Sequence, residues 1–295
     1  VSDRILVVDV GTSSVRAAVV RADGTLVAVH RRATLPDTPF PGLVEFDATV
    51  LAGAAMEVAH AALAEGGPVD AVGVTNQRAS TIVWDRATGT PVAPGLGWQD
   101  LRTVGTCLEL QGEGFRLAPN ASATKLAAIL DQVDPDRGLD LCFGTVDTWI
   151  VWHLTGGATH VTDLSNAAVT GLVTATGDGW SKPVLERLRI PASALPQVVD
   201  SSGVLAHASA LLGAPPIAGI AGDQQASLIG QSCVRPGMAK ATFGTGGMLD
   251  VCLGSRPAFE VRGEGGCFPI VAWRIGAEVT WGVEAVMLAA GANVE

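Results

Sequence analysis

Arg4-Ile5-Leu6-Val7-Val8-Asp9-Val10-Gly11-Thr12-Ser13-Ser14-Val15-Arg16 is the stretch whose reading decides the fold. Its successive apolar side chains read as a buried strand, which runs directly into a carboxylate and a glycine turn rich in hydroxyls. A second strand over 15–21, the tight turn Ala22-Asp23-Gly24 and a third strand over 25–32 complete an antiparallel meander. A loop with Pro36, Pro39 and Pro41 follows. Asp47 then caps a long alanine-rich helix ending near Gly66-Gly67, and 69–75 returns as a buried strand. The resulting order is β-β-β-α-β.

Downstream, 81–84 and 90–94 flank Asp85-Arg86-Ala87-Thr88-Gly89 and read as a hairpin. Helical patterns cover 99–110 and 122–132, a short strand at 140–144 leads into 146–154, extended pieces fall at 162–165 and 171–174, and 183–188 is a short helix. The run Ile217-Ala218-Gly219-Ile220-Ala221 reads as a buried strand, and Asp223 caps a helix over 223–230. Val234-Arg235-Pro236-Gly237 marks a boundary, dividing the chain into 1–231 and 232–295. Beyond it, strands at 239–243, 248–253, 267–273 and 278–283 and a helical start at 284–290 repeat the opening order. A repeat of this kind predicts two related domains across a cleft. The second copy stops within or just after its helix, so an incomplete second domain is expected, to be completed by further sequence or by another chain.

The composition narrows the partners. With 48% hydrophobic residues in a chain of 295, a sizeable core is available, while a net charge of −10 without a basic patch argues against nucleic acid or an anionic membrane surface. No apolar stretch is long enough to span a bilayer, and the N-terminal residues show no signal peptide. Cys107, Cys142, Cys233, Cys252 and Cys267 are odd in number with no Cys-x-x-Cys spacing, which suits a reducing cytoplasm. The scattered histidines offer no metal pair on one helical face.

Chemistry concentrates at the strand ends. A carboxylate at the end of a buried strand needs a cation or several donors, and magnesium-bound nucleotide would supply one at Asp9. Gly11 lets backbone approach phosphate, Thr12, Ser13 and Ser14 offer donors, and Arg16 lies on the next strand. The bland reading is an ordinary hairpin turn. Gly244-Thr245-Gly246 forms a second such turn; the Walker pattern is absent. Asp223, between a buried strand and a helix, is the candidate general base, the alternative being a simple helix cap. Asn76-Gln77-Arg78 ends another strand at a cleft edge, with Trp98 and Gln99 as wall and rim.

These pieces, in this order, resemble the FGGY carbohydrate kinases, specifically their glycerol kinase branch. The segments that carry the resemblance are residues 9–16, 73–84, 143–154, 160–166, 219–225 and 237–246. It implies an α/β, actin-like (ribonuclease H-like) ATPase domain with a mixed sheet flanked by helices, followed by an incomplete second domain of the same type. It further implies ATP and Mg2+ as cofactors and a small polyol or sugar as acceptor, with homo-oligomerisation left open. Thr12, Ser13, Ser14 and Arg16 match the first phosphate turn, Thr245 the second, and Gly291 a nucleotide-contacting glycine; Asp9 and Asp223 are the implied metal ligands. Arg78, Trp98, Asp223 and Gln224 match acceptor positions. Where glycerol kinases follow the arginine with glutamate this chain has Ala79, and their acceptor tyrosine falls at Asn120. The alternative reading is a truncated, non-catalytic homologue that binds a sugar or a partner.

Overall fold

A computed structural model describes residues 3–243, 247–257 and 266–287. The opening is the expected meander: β1 (Arg4–Val10), β2 (Ser14–Arg21) and β3 (Leu26–Ala33), then the short strand β4 (Glu45–Phe46), helix α1 (Ala48–Gly66) and strand β5 (Ala71–Asn76). Asp47 caps α1 by accepting from the Thr49 and Val50 amides. There follow β6 (Ile82–Asp85), β7 (Gly95–Leu96), α2 (Val104–Gly112), α3 (Ser122–Val133), β8 (Leu141–Gly144) and α4 (Val146–Leu154). Then come β9 (Val161–Asp163), α5 (Leu164–Ala168), α6 (Lys182–Arg187), β10 (Gln197–Val199), β11 (Ser202–His207), β12 (Pro216–Gly222) and α7 (Asp223–Gly230). The last described strands are β13 (Ala239–Phe243), β14 (Gly247–Gly254), β15 (Cys267–Ile275) and β16 (Glu278–Met287).

Two sheets organise these elements. The first has the order β11-β12-β5-β1-β2-β3, with β1, β5 and β12 mutually parallel and β2, β3 and β11 antiparallel to their neighbours. Register aligns Val72, Leu6, Val19 and Ala28 in one row, all at most 3% exposed. Helix α1 covers this sheet with alanines because small side chains let it settle close. At Gly66 the approach is so close that a Cβ would lie 2.6 Å from the Val19 side chain. The parallel strands β1, β5 and β12 end together, Val10 opposite Asn76 and Asn76 opposite Gly222. In open α/β sheets, ligands gather outside such carboxyl ends.

The second sheet departs from the expected repeat. Its order is β13-β14-β16-β15, so β16 takes the place beside β14 and β15 lies outermost. Glu284 to Met287, read as the start of a helix, belong to β16, because pairing with β14 from Asp250↔Glu284 to Gly247↔Met287 satisfies their backbone. Helix α2 begins at Val104 rather than 99, since the Asp100 carboxylate accepts from the Val44 and Arg102 amides and holds the preceding residues in a turn. The hairpin across 85–89 reduces to a single bridge, Trp84↔Pro91, while β6 pairs with β8. Extended structure at 162–165 ends at Asp163, which caps α5. The residue capping α7 is Gly222, with Asp223 as the first helical residue.

Candidate active site

The first turn is built by β1 and β2. Their register places Asp9 opposite Arg16, and the Gly11 amide closes the turn on the Ser14 carbonyl at 3.0 Å. The Asp9 carboxylate meets Arg16 Nη2 at 2.6 Å. Burial pushes the Asp9 carboxyl above its ordinary range, and the Arg16 guanidinium only partly counters it. Ser13 accepts the Thr34 amide through its carbonyl, and Thr12 Oγ1 accepts from the Trp98 indole at 3.2 Å. Gln77 clamps the same turn, its amide donating to Val10 O at 2.8 Å and its Nε2 to Gly11 O at 3.4 Å. Gln99, with Thr12 and Gln77, lines a narrow hollow behind the turn.

Beside this turn, β5 and β12 deliver Arg78 and Asp223. Arg78 Nε stands 3.4 Å from Asp223 Oδ1, and Asp223 Oδ1 also accepts from the Gln224 amide at 2.8 Å. The Asp223 side chain keeps 39% exposure, so part of it stays accessible. Its carboxyl sits above the usual carboxylate range, first through burial; Arg78 pulls it down, while the neighbouring Glu284 and Asp9 carboxylates push it up. The other end of Arg78 is held by Glu284, with Nη2 2.7 Å from Oε2. Arg78 Nη1 is buried and makes no hydrogen bond among the described residues.

The second sheet contributes residues that the sequence reading did not single out. Lys240, Asp250 and Glu284 stand in register across β13, β14 and β16, each at most 3% exposed. Lys240 Nζ contacts Asp250 Oδ2 at 2.9 Å, donates to Thr242 Oγ1 at 2.9 Å and bonds Gln224 Oε1. Burial, then the adjoining Glu284 carboxylate, pushes the Asp250 carboxyl up to about 7. A charged residue on each of three neighbouring strands was the available signal, but only register shows that they align. Lys125 is the other missed group: fully buried, it donates to the carbonyls of Gly97 at 2.7 Å, Trp98 at 3.2 Å and Asn120 at 3.4 Å. Ala79 is buried in a left-handed conformation, φ 60°, and its carbonyl accepts from Ser122 Oγ.

A buried polar layer supports the strand ends. Asp163 accepts from the Ser165 and Asn166 amides and from Ser201 Oγ at 2.6 Å, Asn166 bonds Asn76 at the end of β5, and Ser165 Oγ takes the Gly222 amide at 3.1 Å. These bonds fix the backbone on which Arg78 and Asp223 ride. Thus Asp9, Thr12, Arg16, Arg78, Trp98, Asp223 and Gln224 form one connected neighbourhood. Gly244, Thr245, Gly246 and Gly291 lie outside the described residues.

The model of the FGGY family of carbohydrate kinases, N-terminal domain, matches residues 4–230. The chain belongs to this family. A glycerol kinase of Trichlorobacter lovleyi is 43% identical over 99% of the chain and 62% of its own length, and one of Halorhodospira halophila is 42% identical over 99% and 61%. The chain therefore spans about three fifths of the length of these curated relatives. Among solved structures, Plasmodium falciparum glycerol kinase with ADP superposes with a TM-score of 0.90 at 23% identity, over 99% of this chain and 62% of that one. A ligand-bound xylulose kinase of Lactobacillus acidophilus gives 0.85 at 18%, over 98% and 61%. These likenesses establish the actin-like α/β fold. Within the FGGY fold, the two carboxylates Asp9 and Asp223 fit the usual way of holding Mg2+, by one or two carboxylates together with substrate phosphates and water. Among the described residues there is no cluster of three or more ligating side chains, which that mode does not require.

Proposed function

We propose that the chain is the acceptor-binding lobe and the start of the nucleotide-binding lobe of an ATP-dependent polyol or sugar kinase, with the division at 231/232. The observation that carries this reading is the convergence of Asp9, Arg78 and Asp223 on the ends of three adjacent parallel strands. Bound there, ATP with Mg2+ would supply the transferred phosphoryl group and neutralise its charge. Asp223 acts as general base: its carboxylate takes the proton of the attacking acceptor hydroxyl as that oxygen bonds to the γ-phosphorus and the bond from that phosphorus to the bridging oxygen breaks, with ADP as the leaving group. Arg78 pulls the Asp223 carboxyl down, favouring its ionised form against burial. Asp9, with Asp223, would hold the metal, and Thr12, Ser13, Ser14 and Arg16 would bind phosphate oxygens, the same duty being proposed for Gly244, Thr245, Gly246 and Gly291. Trp98 and Gln224 flank the acceptor. The relatives' names as kinases favour this over a non-catalytic homologue.

The acceptor is a polyol or sugar. Ala79 and Asn120 replace two groups that bond hydroxyls in glycerol kinases, so this pocket discriminates less strictly by hydrogen bonding. The described residues contain no helix long and apolar enough to cross a membrane, and all five cysteines are free, in keeping with a reducing cytoplasm. The test is Asp223→Asn, assayed for ATP-dependent phosphorylation of glycerol and a polyol panel. Turnover should fall by roughly 10²–10⁴-fold with the fold intact. In the unchanged protein turnover should fall as pH drops through the Asp223 pKa, which lies above 3.8. Full turnover by Asp223→Asn would refute the assignment.

A further inference from the structure

We propose that Glu284 is a positioning residue for the acceptor site: from the second sheet it fixes the Arg78 guanidinium so that Nε faces Asp223. Lys240 does the same for Gln224. The inference rests on the acceptor-site reading above. Its basis is geometric. Arg78 is held more closely by Glu284, at 2.7 Å, than by Asp223, at 3.4 Å, although Glu284 is 206 positions away in the chain. The orientation of the guanidinium is thus set mainly from the opposite lobe.

The charges around Arg78 are consistent with such a role. The carboxylates acting on it are Glu284 from β16, Asp223 from α7 and Asp250 from β14, with Lys240 on β13 against Asp250. These three carboxylates stand against two cations, Arg78 and Lys240. Burial and the adjoining Glu284 carboxylate push the Asp250 carboxyl up and Lys240 pulls it down, while Glu284 pairs with Arg78. A row of buried charges is a poor way to hold two sheets together, since apolar residues of similar volume would serve stability as well or better. Orientation of two acceptor-site side chains is what it supplies instead.

The test compares Glu284→Ala and the isosteric Glu284→Gln in the full chain. First, side-chain ¹⁵N NMR follows rotation and proton exchange of the Arg78 guanidinium, whether or not the protein turns over. Second, KM for glycerol and for xylitol is set against KM for ATP. Glu284→Ala should free the guanidinium and raise the acceptor KM by about tenfold with ATP KM within about twofold, as loss of a charged hydrogen bond implies. Glu284→Gln, which still accepts from Nη2, should fall between. An Arg78 signal unchanged in both variants overturns the inference, as does a proportional rise in both KM values. If the unsubstituted chain phosphorylates no polyol while Glu284→Ala still frees Arg78, the kinase reading fails and the positioning role stands.

Discussion

The two sheets begin alike and bury opposite chemistry. In the first, the row Val72, Leu6, Val19 and Ala28 is apolar and packs beneath α1; in the second, the row Lys240, Asp250 and Glu284 is charged, equally buried, and meets Gln224 and Arg78. An apolar row gains free energy from each methyl removed from water and tolerates imperfect partners. A charged row has no such tolerance, because each member relies on its neighbour to offset desolvation. The first region is therefore specified by volume and the second by pairing.

The comparison can be broken most strongly at Lys240. Lys240→Met leaves Asp250 and the Gln224 carbonyl oxygen unpaired, and should cost about 3–5 kcal/mol in urea unfolding. Adding Asp250→Leu should recover most of that loss, since an apolar pair can replace a buried ionic one; two independent, additive losses would refute the pairing account. Leu6→Ala, by contrast, should cost about 2–5 kcal/mol through its cavity, with no single neighbouring charge change to rescue it.

Lys125 isolates a buried cation whose acceptors are all carbonyls. Burial lowers it from 10.5 to about 8. Between these values the unfolded chain binds more protons than the folded one, so this group's contribution to stability rises with pH across that window and is least favourable below pH 8. The full span amounts to about 3 kcal/mol. Unfolding free energies of the unsubstituted chain and of Lys125→Met, compared from pH 7 to 10.5, should show the rise only when Lys125 is present. Parallel curves would contradict it.

Two glycines give the finest contrast. A Cβ at Gly66 meets the stiff Val19 side chain at 2.6 Å, whereas one at Gly222 meets the Arg78 Cδ at 2.6 Å. Gly66→Ala should cost about 1–3 kcal/mol in stability and leave acceptor KM alone. Gly222→Ala should cost less, because the arginine stem can bend away, yet raise acceptor KM by displacing the guanidinium. Melting curves alongside polyol kinetics would separate the two, and the same pattern in both variants would erase the distinction.

The first sheet was legible in the sequence because its information is local. Alternation, the Ala22-Asp23-Gly24 turn and the Asp47 cap each act within a few residues, and the strand ends that present Asp9, Arg78 and Asp223 were read from apolar runs. The charged row was not legible. Glu284-Ala285-Val286-Met287 has good helix formers, and only pairing with β14, which is far away in sequence, makes it a strand. The late start of α2 had a similar cause, an Asp100 carboxylate engaging the Val44 amide 56 positions away. Lys125 would have passed for a surface lysine on an amphipathic helix, since nothing nearby in sequence announces its three carbonyls.

The indole of Trp98 has one donor, and Thr12 Oγ1 already receives it. Whatever settles against that ring meets only its hydrocarbon face and edge, so it is greeted by C–H contact rather than by a competing N–H. Thr12, having accepted there, keeps its own hydroxyl proton to give elsewhere. A single oxygen thereby ties the indole to the turn after β1, and a shift in one is felt by the other across one bond.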